Sequence, residues 1–188
     1  AVAAFSEDPD GRALLAERPA LDSTAVDYDA LRALPDDTLG KAYVRHLDDN
    51  GLDPDLFQAP PNMPEPLAYI LKRLRQSHDV WHAVVGHGTD IPSELSMLAF
   101  TYGQTHAPAF PILVGLGLLR IGWKEPRVFG MVRDAYRAGV AAKPLGTVRW
   151  ERLWTAKLED VRRELNVTAF AGAGTSPGTS PGIGPIAS

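Results

Sequence analysis

Between positions 67 and 85 the apolar residues return in steps of four and three: Leu67, Leu71, Leu74, then His78, His82 and Val85. A helix gathers such a series on one face, and Ile70 and Trp81 widen the stripe. The series predicts a long helix, opened near Pro64 or Pro66, where proline suits a first turn, and closed at Gly86 and Gly88. It also predicts that two imidazoles continue the inward face. Rings four residues apart stand one turn above the other, so both can reach one point.

Around this helix the chain reads as shorter helices separated by Pro, Gly and Asp. Alternating apolar residues are hard to find, so the expected fold class is all-α: a single-domain bundle of about seven to eight helices with the long metal-motif helix at its centre. The other expected helices are 10–17, 28–33 capped by Asp27, one from Thr38 to the stop at Gly51, and one opened by Asp90 and Pro92 that carries Glu94. Further helices begin at Pro111 and near Pro126, and a last one covers 147–165. Residues 52–63 form an irregular crossing. A hydrophobic content of 45% over 188 residues is enough for one core. That core is assigned to 1–167. Residues 168–188, with GTSP twice in tandem, read as a flexible tail rich in Gly, Pro, Ser and Thr.

Composition narrows the function. A net charge of −4 gives no basic field for nucleic acid. With no cysteine, disulfides, thiolate metal sites and cysteine nucleophiles are excluded. The chain opens AVAAFSEDPDG, without Met and without the pattern of a secretory signal. The most apolar run, AFPILVGLGLL at 109–119, is shorter than the ~20 residues a membrane span needs. It is expected as a buried helix or as a wall of an apolar pocket.

His78 and His82, with Asp79 between them and Glu94 from the next helix, suggest a divalent metal. Zinc accepts imidazole and carboxylate and keeps a position open in catalytic sites. Ferrous iron suits two His and one carboxylate equally. The plain alternative is a hydrogen-bonded core pair, with Glu94 placed by the helix dipole. Asp79 and Glu94 are the candidate acid and base. Three further residues are weaker candidates: Glu151, and His106 and Tyr102 at a possible pocket wall. Glu151 is expected on the apolar face of the last helix, where an ion pair with Arg120 or Arg133 competes with a bond to a metal-bound His. His46 and His87 are expected at the surface. The peptidase motif H-E-x-x-H has Asp79 where it needs Glu. His46 and Asp134 could be drafted into a His-Asp phosphohydrolase set.

One family fits closely. HDVWH followed by eleven residues and Glu94 resembles the H-D-x-x-H-x11-E motif of the coenzyme Q (ubiquinone) biosynthesis family usually called Coq-four. LLAERPALDSTAVDYDALRALPDDTLGKAYVRHLDDNGLDPD is similar to its N-terminal stretch. Phe100, Gln104, Thr105 and Pro108 match its next motif, and WERLW gives Glu151, Arg152 and Trp154. The likeness covers roughly residues 10–166, and the chain looks like a divergent bacterial-type member. It implies an all-helical fold with metal at His78, Asp79, His82 and Glu94. It also implies oxidative decarboxylation at a ring carbon of a prenylated quinone precursor. Zinc is the first expectation and iron the second. Zinc cannot itself activate oxygen, so a related reaction on another aromatic or polyketide substrate stays open, as does a non-catalytic, metal-stabilised scaffold for prenyl lipid. The implied partners are a hydrophobic small molecule, other copies of the chain and a membrane face touched from the cytoplasmic side. The basic pair often found in the family is replaced within AGVAAKP by Val140 and Ala141; if that pair meets an anionic substrate group, the resemblance implies a different substrate here. The family's first helices are expected to be missing, and part of its prenyl tunnel with them.

Overall fold

The computed structural model describes residues 2–57 and 62–170, with no strand among them. Nine α-helices follow in order: α1 Val2–Glu7, α2 Pro9–Glu17, α3 Tyr28–Arg32, α4 Leu39–Asn50, α5 Leu67–Val85, α6 Ile91–Thr105, α7 Ala109–Ile121, α8 Arg127–Ala141 and α9 Leu158–Leu165. The expected tail lies outside the described residues from 171 onward. Phe170, the last described residue, is still held: its N–H donates to the Val85 carbonyl at 3.1 Å.

Local chemistry explains most boundaries. Asp8, Asp27, Thr38 and Asp90 each accept a backbone N–H from the first turn of the helix they open. Gly51 and Gly86 close α4 and α5 in the left-handed region, at φ 60° and 79°. The helix α1 was not expected, and it packs Phe5 with Leu14 and Ile70 into a small core of its own.

The long helix is more deeply set than its leucines suggest. Its fully buried side chains are centred on Ile70, Arg73, Ser77, Val80, Trp81 and Val84, whereas Leu67, Leu71, Leu74 and His78 are half-buried. The histidine face is thus the edge of the core rather than its middle. Two buried polar residues of α5 find partners across the chain. The Arg73 guanidinium donates to the carbonyls of Pro19 and Val148 and to Glu151, the last at 2.6 Å. The Gln76 amide accepts from Leu21 N–H and donates to Asp22.

Two expectations are corrected here. The last helix does not start at 147. Residues Leu145–Thr147 and Trp150–Arg152 form single 3-10 turns, and α9 begins only at Leu158. The backbone between them is spent on the start of α4 instead. The Trp154 and Ala156 carbonyls accept from Gly40 and Leu39, and Leu158 N–H donates to Asp37. Glu151 therefore sits on a 3-10 turn, not on a helical stripe, and its partner is Arg73, with Arg149 alongside, rather than Arg120 or Arg133. The run 109–119 is not buried either. Only Val114 of α7 is fully covered, and Ile112, Leu113, Leu116 and Leu119 are exposed, the last by 79%. α7 packs chiefly against α6, so most of its circumference has no neighbour among the described residues.

The tightest helix pair is α6 with α8. A Cβ at Gly139 would stand 2.3 Å from the Phe100 carbonyl oxygen, and one at Gly103 would stand 2.8 Å from that of Tyr136. Gln104 then ties the pair to the chain beyond, donating to the Gly139 carbonyl at 2.6 Å and accepting from Leu145 N–H at 2.8 Å. Because backbone atoms cannot step aside, Gly139→Ala is expected to lower stability by about 1–3 kcal/mol, as overpacking does. A reduced urea midpoint with an unchanged slope checks it. Glu151→Ala leaves the buried Arg73 charge without its anion and is expected to cost about 3 kcal/mol by the same measurement.

Candidate metal centre

The αL turn at Gly86 reverses the chain, and Asp90 starts α6 by accepting from Ser93 N–H and its hydroxyl. This return carries Glu94, in the first turn of α6, back to the end of α5. There His78, His82 and Glu94 each place one donor atom within 4.8 Å of the others. His82 Nε2 lies 3.1 Å from His78 Nε2 and 3.7 Å from Glu94 Oε1.

His82 is the fixed member. It is 2% exposed, and its Nδ1 faces the His87 carbonyl at 3.3 Å. A carbonyl only accepts, so Nδ1 carries the proton and Nε2 presents its lone pair. The rings of His78 and His82 meet edge to face, with centroids 4.8 Å apart. Two nitrogens on one tetrahedral zinc, each at about 2.0–2.1 Å, stand about 3.3 Å apart. The 3.1 Å separation is close to that, and the donor set, two neutral imidazoles and a carboxylate, fits a divalent cation.

The electrostatics are those of a desolvated cluster. Burial pushes His78 down to about 3, helped by His82, Arg75 and His46. Burial also lowers His82 against the opposing pull of its hydrogen bonds to the backbone of His87 and Gly88. Burial raises Asp79 to about 6. Burial raises Glu94 to about 7, with Asp79 and Asp90 adding repulsion. Water tempers the Glu94 shift, because its side chain is 43% exposed.

Not all candidate residues converge. Asp79 is not one of the three. It lies within electrostatic reach of Glu94, and on another side of Tyr28, Tyr43 and Arg75. His106 is exposed at the left-handed end of α6, and Tyr102 stacks on Tyr136 and tilts against His106. Both lie two turns or more beyond Glu94. Glu151 contacts arginines and no histidine. Asp134 pairs with Arg133 at the surface, so no phosphohydrolase set assembles. Hollows of about 310 Å³, beside Lys143 and Arg152, and about 570 Å³, beside Ser23 and Arg32, both lie away from the three donors.

Two histidines expected at the surface belong here instead. His46 is half-buried and stacked on His82, with centroids 5.1 Å apart and planes within 16°. His87 is 6% exposed and stacks on Phe170. The sign for His46 was present: it follows Tyr43 by three residues, on the flank of the buried face of α4. Burial holds both rings down to about 4, with the charge at His82 adding to it.

With the geometry in place, comparison with known proteins gives first a class and then a family. A crystal structure from Nostoc punctiforme, of a protein assigned to ubiquinone biosynthesis, superposes with a TM-score of 0.70. The alignment covers 93% of this chain and 80% of that one at 24% identity, and so defines a shared all-helical fold. The family model for coenzyme Q (ubiquinone) biosynthesis protein Coq4 matches residues 2–171, beyond the expected 10–166 at both ends, and the chain belongs to that family. The mitochondrial ubiquinone biosynthesis protein COQ4 of Lodderomyces elongisporus is 36% identical over 172 residues, 87% of this chain and 45% of that protein. The Danio rerio homolog is 33% identical over 163 residues, 85% and 60% respectively. The chain spans about half the length of the curated relatives it matches.

The four imidazoles make the metal-free protein acid-sensitive. An unfolded chain protonates its histidines below about 6.5, whereas the folded rings of His46, His78 and His87 stay neutral down to about 4 or 3 and that of His82 is lowered in the same direction. Their contribution is therefore present above 6.5 and is lost as pH falls toward the folded values. The raised Asp79 and Glu94 work with the opposite sign, losing stability as pH rises through about 6–7. Four rings outweigh two carboxyls, so the urea midpoint of metal-free protein is expected to fall steadily from pH 6.5 to 4.5. Replacing His78 by Gln should flatten that slope.

Proposed function

We propose that this chain is a metal-dependent enzyme in the biosynthesis of ubiquinone or a related prenylated aromatic metabolite, removing a carboxyl group from a ring carbon, with or without oxidation. The convergence of His78, His82 and Glu94 carries the reading. These three hold the metal, zinc in the first place and ferrous iron as the alternative. A bound divalent cation supplies Lewis acidity toward a ring carboxylate or phenolate oxygen. Asp79, raised to about 6, is suited to move a proton near neutral pH without binding metal tightly. Glu94 combines a metal-facing oxygen with an exposed flank, so the site opens at its side. Membership in the Coq4 family supports the substrate class. The altered stretch at Val140 and Ala141 supports a substrate other than the family's usual one, such as a non-quinone aromatic or polyketide.

The exposed side of α7 supports a hydrophobic partner. Ile112, Leu116, Leu119 and Trp123 all stand clear of the described residues, with Arg120 and Lys124 beside them. A prenyl tail, a second copy of the chain or the headgroup layer of a membrane would each cover that surface. No described helix is long and apolar enough to cross a membrane. The same surface favours the second reading, a non-catalytic holder of a prenylated intermediate whose metal is structural.

Metal content of the purified protein separates these readings. About one zinc or iron per chain is expected, lost in His82→Ala together with carbon dioxide release from a prenylated aromatic acid. An active His82→Ala protein would sink the metal-dependent mechanism. Stoichiometric metal without turnover would favour the holder.

A further inference from the structure

His46 is not among the residues whose donors converge, yet it lies against them. Its ring covers one face of His82, and it is close enough to His78 to bear on its charge. Its Nε2 is sealed from solvent and has no hydrogen-bond partner among the described residues. Tyr43 and Leu47, its neighbours on α4, are buried. A phenylalanine would stack on His82 as well as an imidazole does. A buried nitrogen without a partner is a penalty unless something outside the chain answers it. His87 also has an unpartnered Nε2, but its ring stacks on Phe170 and not on one of the three converging side chains.

The stacking defines what could answer His46. His78, His82 and Glu94 would hold a divalent cation, which would bring an oxygen ligand to the cluster against which His46 is stacked. We propose that His46 Nε2 hydrogen-bonds the oxygen ligand that completes the metal site, either a water or a carboxylate or phenolate oxygen of the substrate. This rests on the metal-site reading above. It adds a ligand-binding residue from α4 to a motif otherwise confined to α5 and α6.

The test uses cobalt(II) as a visible probe of the site and acetate as the oxygen ligand. Wild type, His46→Phe and His46→Gln are loaded with cobalt, and acetate is titrated while the cobalt absorption bands are followed. His46→Phe keeps the stack and removes the nitrogen. It is expected to bind cobalt within about twofold of wild type and acetate about tenfold more weakly, the loss of one hydrogen bond. His46→Gln, which restores a polar atom, should recover part of that affinity. Equal acetate affinity in wild type and His46→Phe would overturn the proposal. So would loss of cobalt from His46→Phe, which would make His46 part of the metal scaffold. Failure of wild type to bind cobalt would instead overturn the metal reading, and this inference with it.

Discussion

The bond from His82 Nδ1 to the His87 carbonyl is the constraint on which the site depends. It joins the last turn of α5 to the chain just after the αL turn at Gly86. One contact therefore sets the ring plane of His82, its tautomer and the path of the return into α6. Glu94 reaches the histidines because that return is short and because Asp90 starts α6 at once. A looser link would leave a carboxylate free to point into water, which it would favour strongly over an unpaired place beside buried imidazoles.

The central helix is held from several directions by polar groups as well as by packing. Arg73 gathers Pro19 with the distant Val148 and Glu151, and Arg149 beside Glu151 pairs in turn with Glu17. Asp22 is pulled down to about 2 by its bonds from Thr24, Lys72 and Gln76, against the cost of its burial. Such bonds are directional, and they fix the rotation of α5 about its axis. That rotation places His78 half-buried and His82 fully so, a depth at which donors are desolvated while a ligand can still arrive.

The sequence made the helices legible where their ends carry their own chemistry. Asp27, Thr38 and Asp90 cap the helices they were expected to cap, and Gly51 and Gly86 stop them. The spacing of His78, His82 and Glu94 likewise revealed a cluster, since a helix turn and a short return leave little choice. What periodicity could not show is how the backbone would be used elsewhere. Residues 153–157 have a helical pattern, but their carbonyls serve the start of α4, so the Glu151 stripe does not exist. The apolar α7 shows the converse: hydrophobicity marks a surface that is better covered without saying that this chain covers it. His46 joins the site by stacking on His82, a contact its position on the flank of the buried face of α4 allowed but did not name, and His87 joins through its carbonyl, which no sequence pattern marks.

The shifts within the cluster oppose one another in a telling way. The imidazoles are driven toward neutrality by being made harder to protonate, and Asp79 and Glu94 by being made harder to ionise. Near pH 7 the rings are uncharged, and the two carboxyls are partly protonated. The buried group of side chains thus sheds charge by every route open to it. Burial alone explains each direction, and one proton between the two imidazole nitrogens 3.1 Å apart makes a hydrogen bond from His78 to the His82 lone pair. A divalent cation would answer both nitrogens at once, favour the ionised carboxylates and release the protons they hold. A cation would thus replace one hydrogen bond by bonds to three donors drawn from two helices. The convergence of those donors, more than the presence of histidine as such, is what supports the proposed metal between α5 and α6.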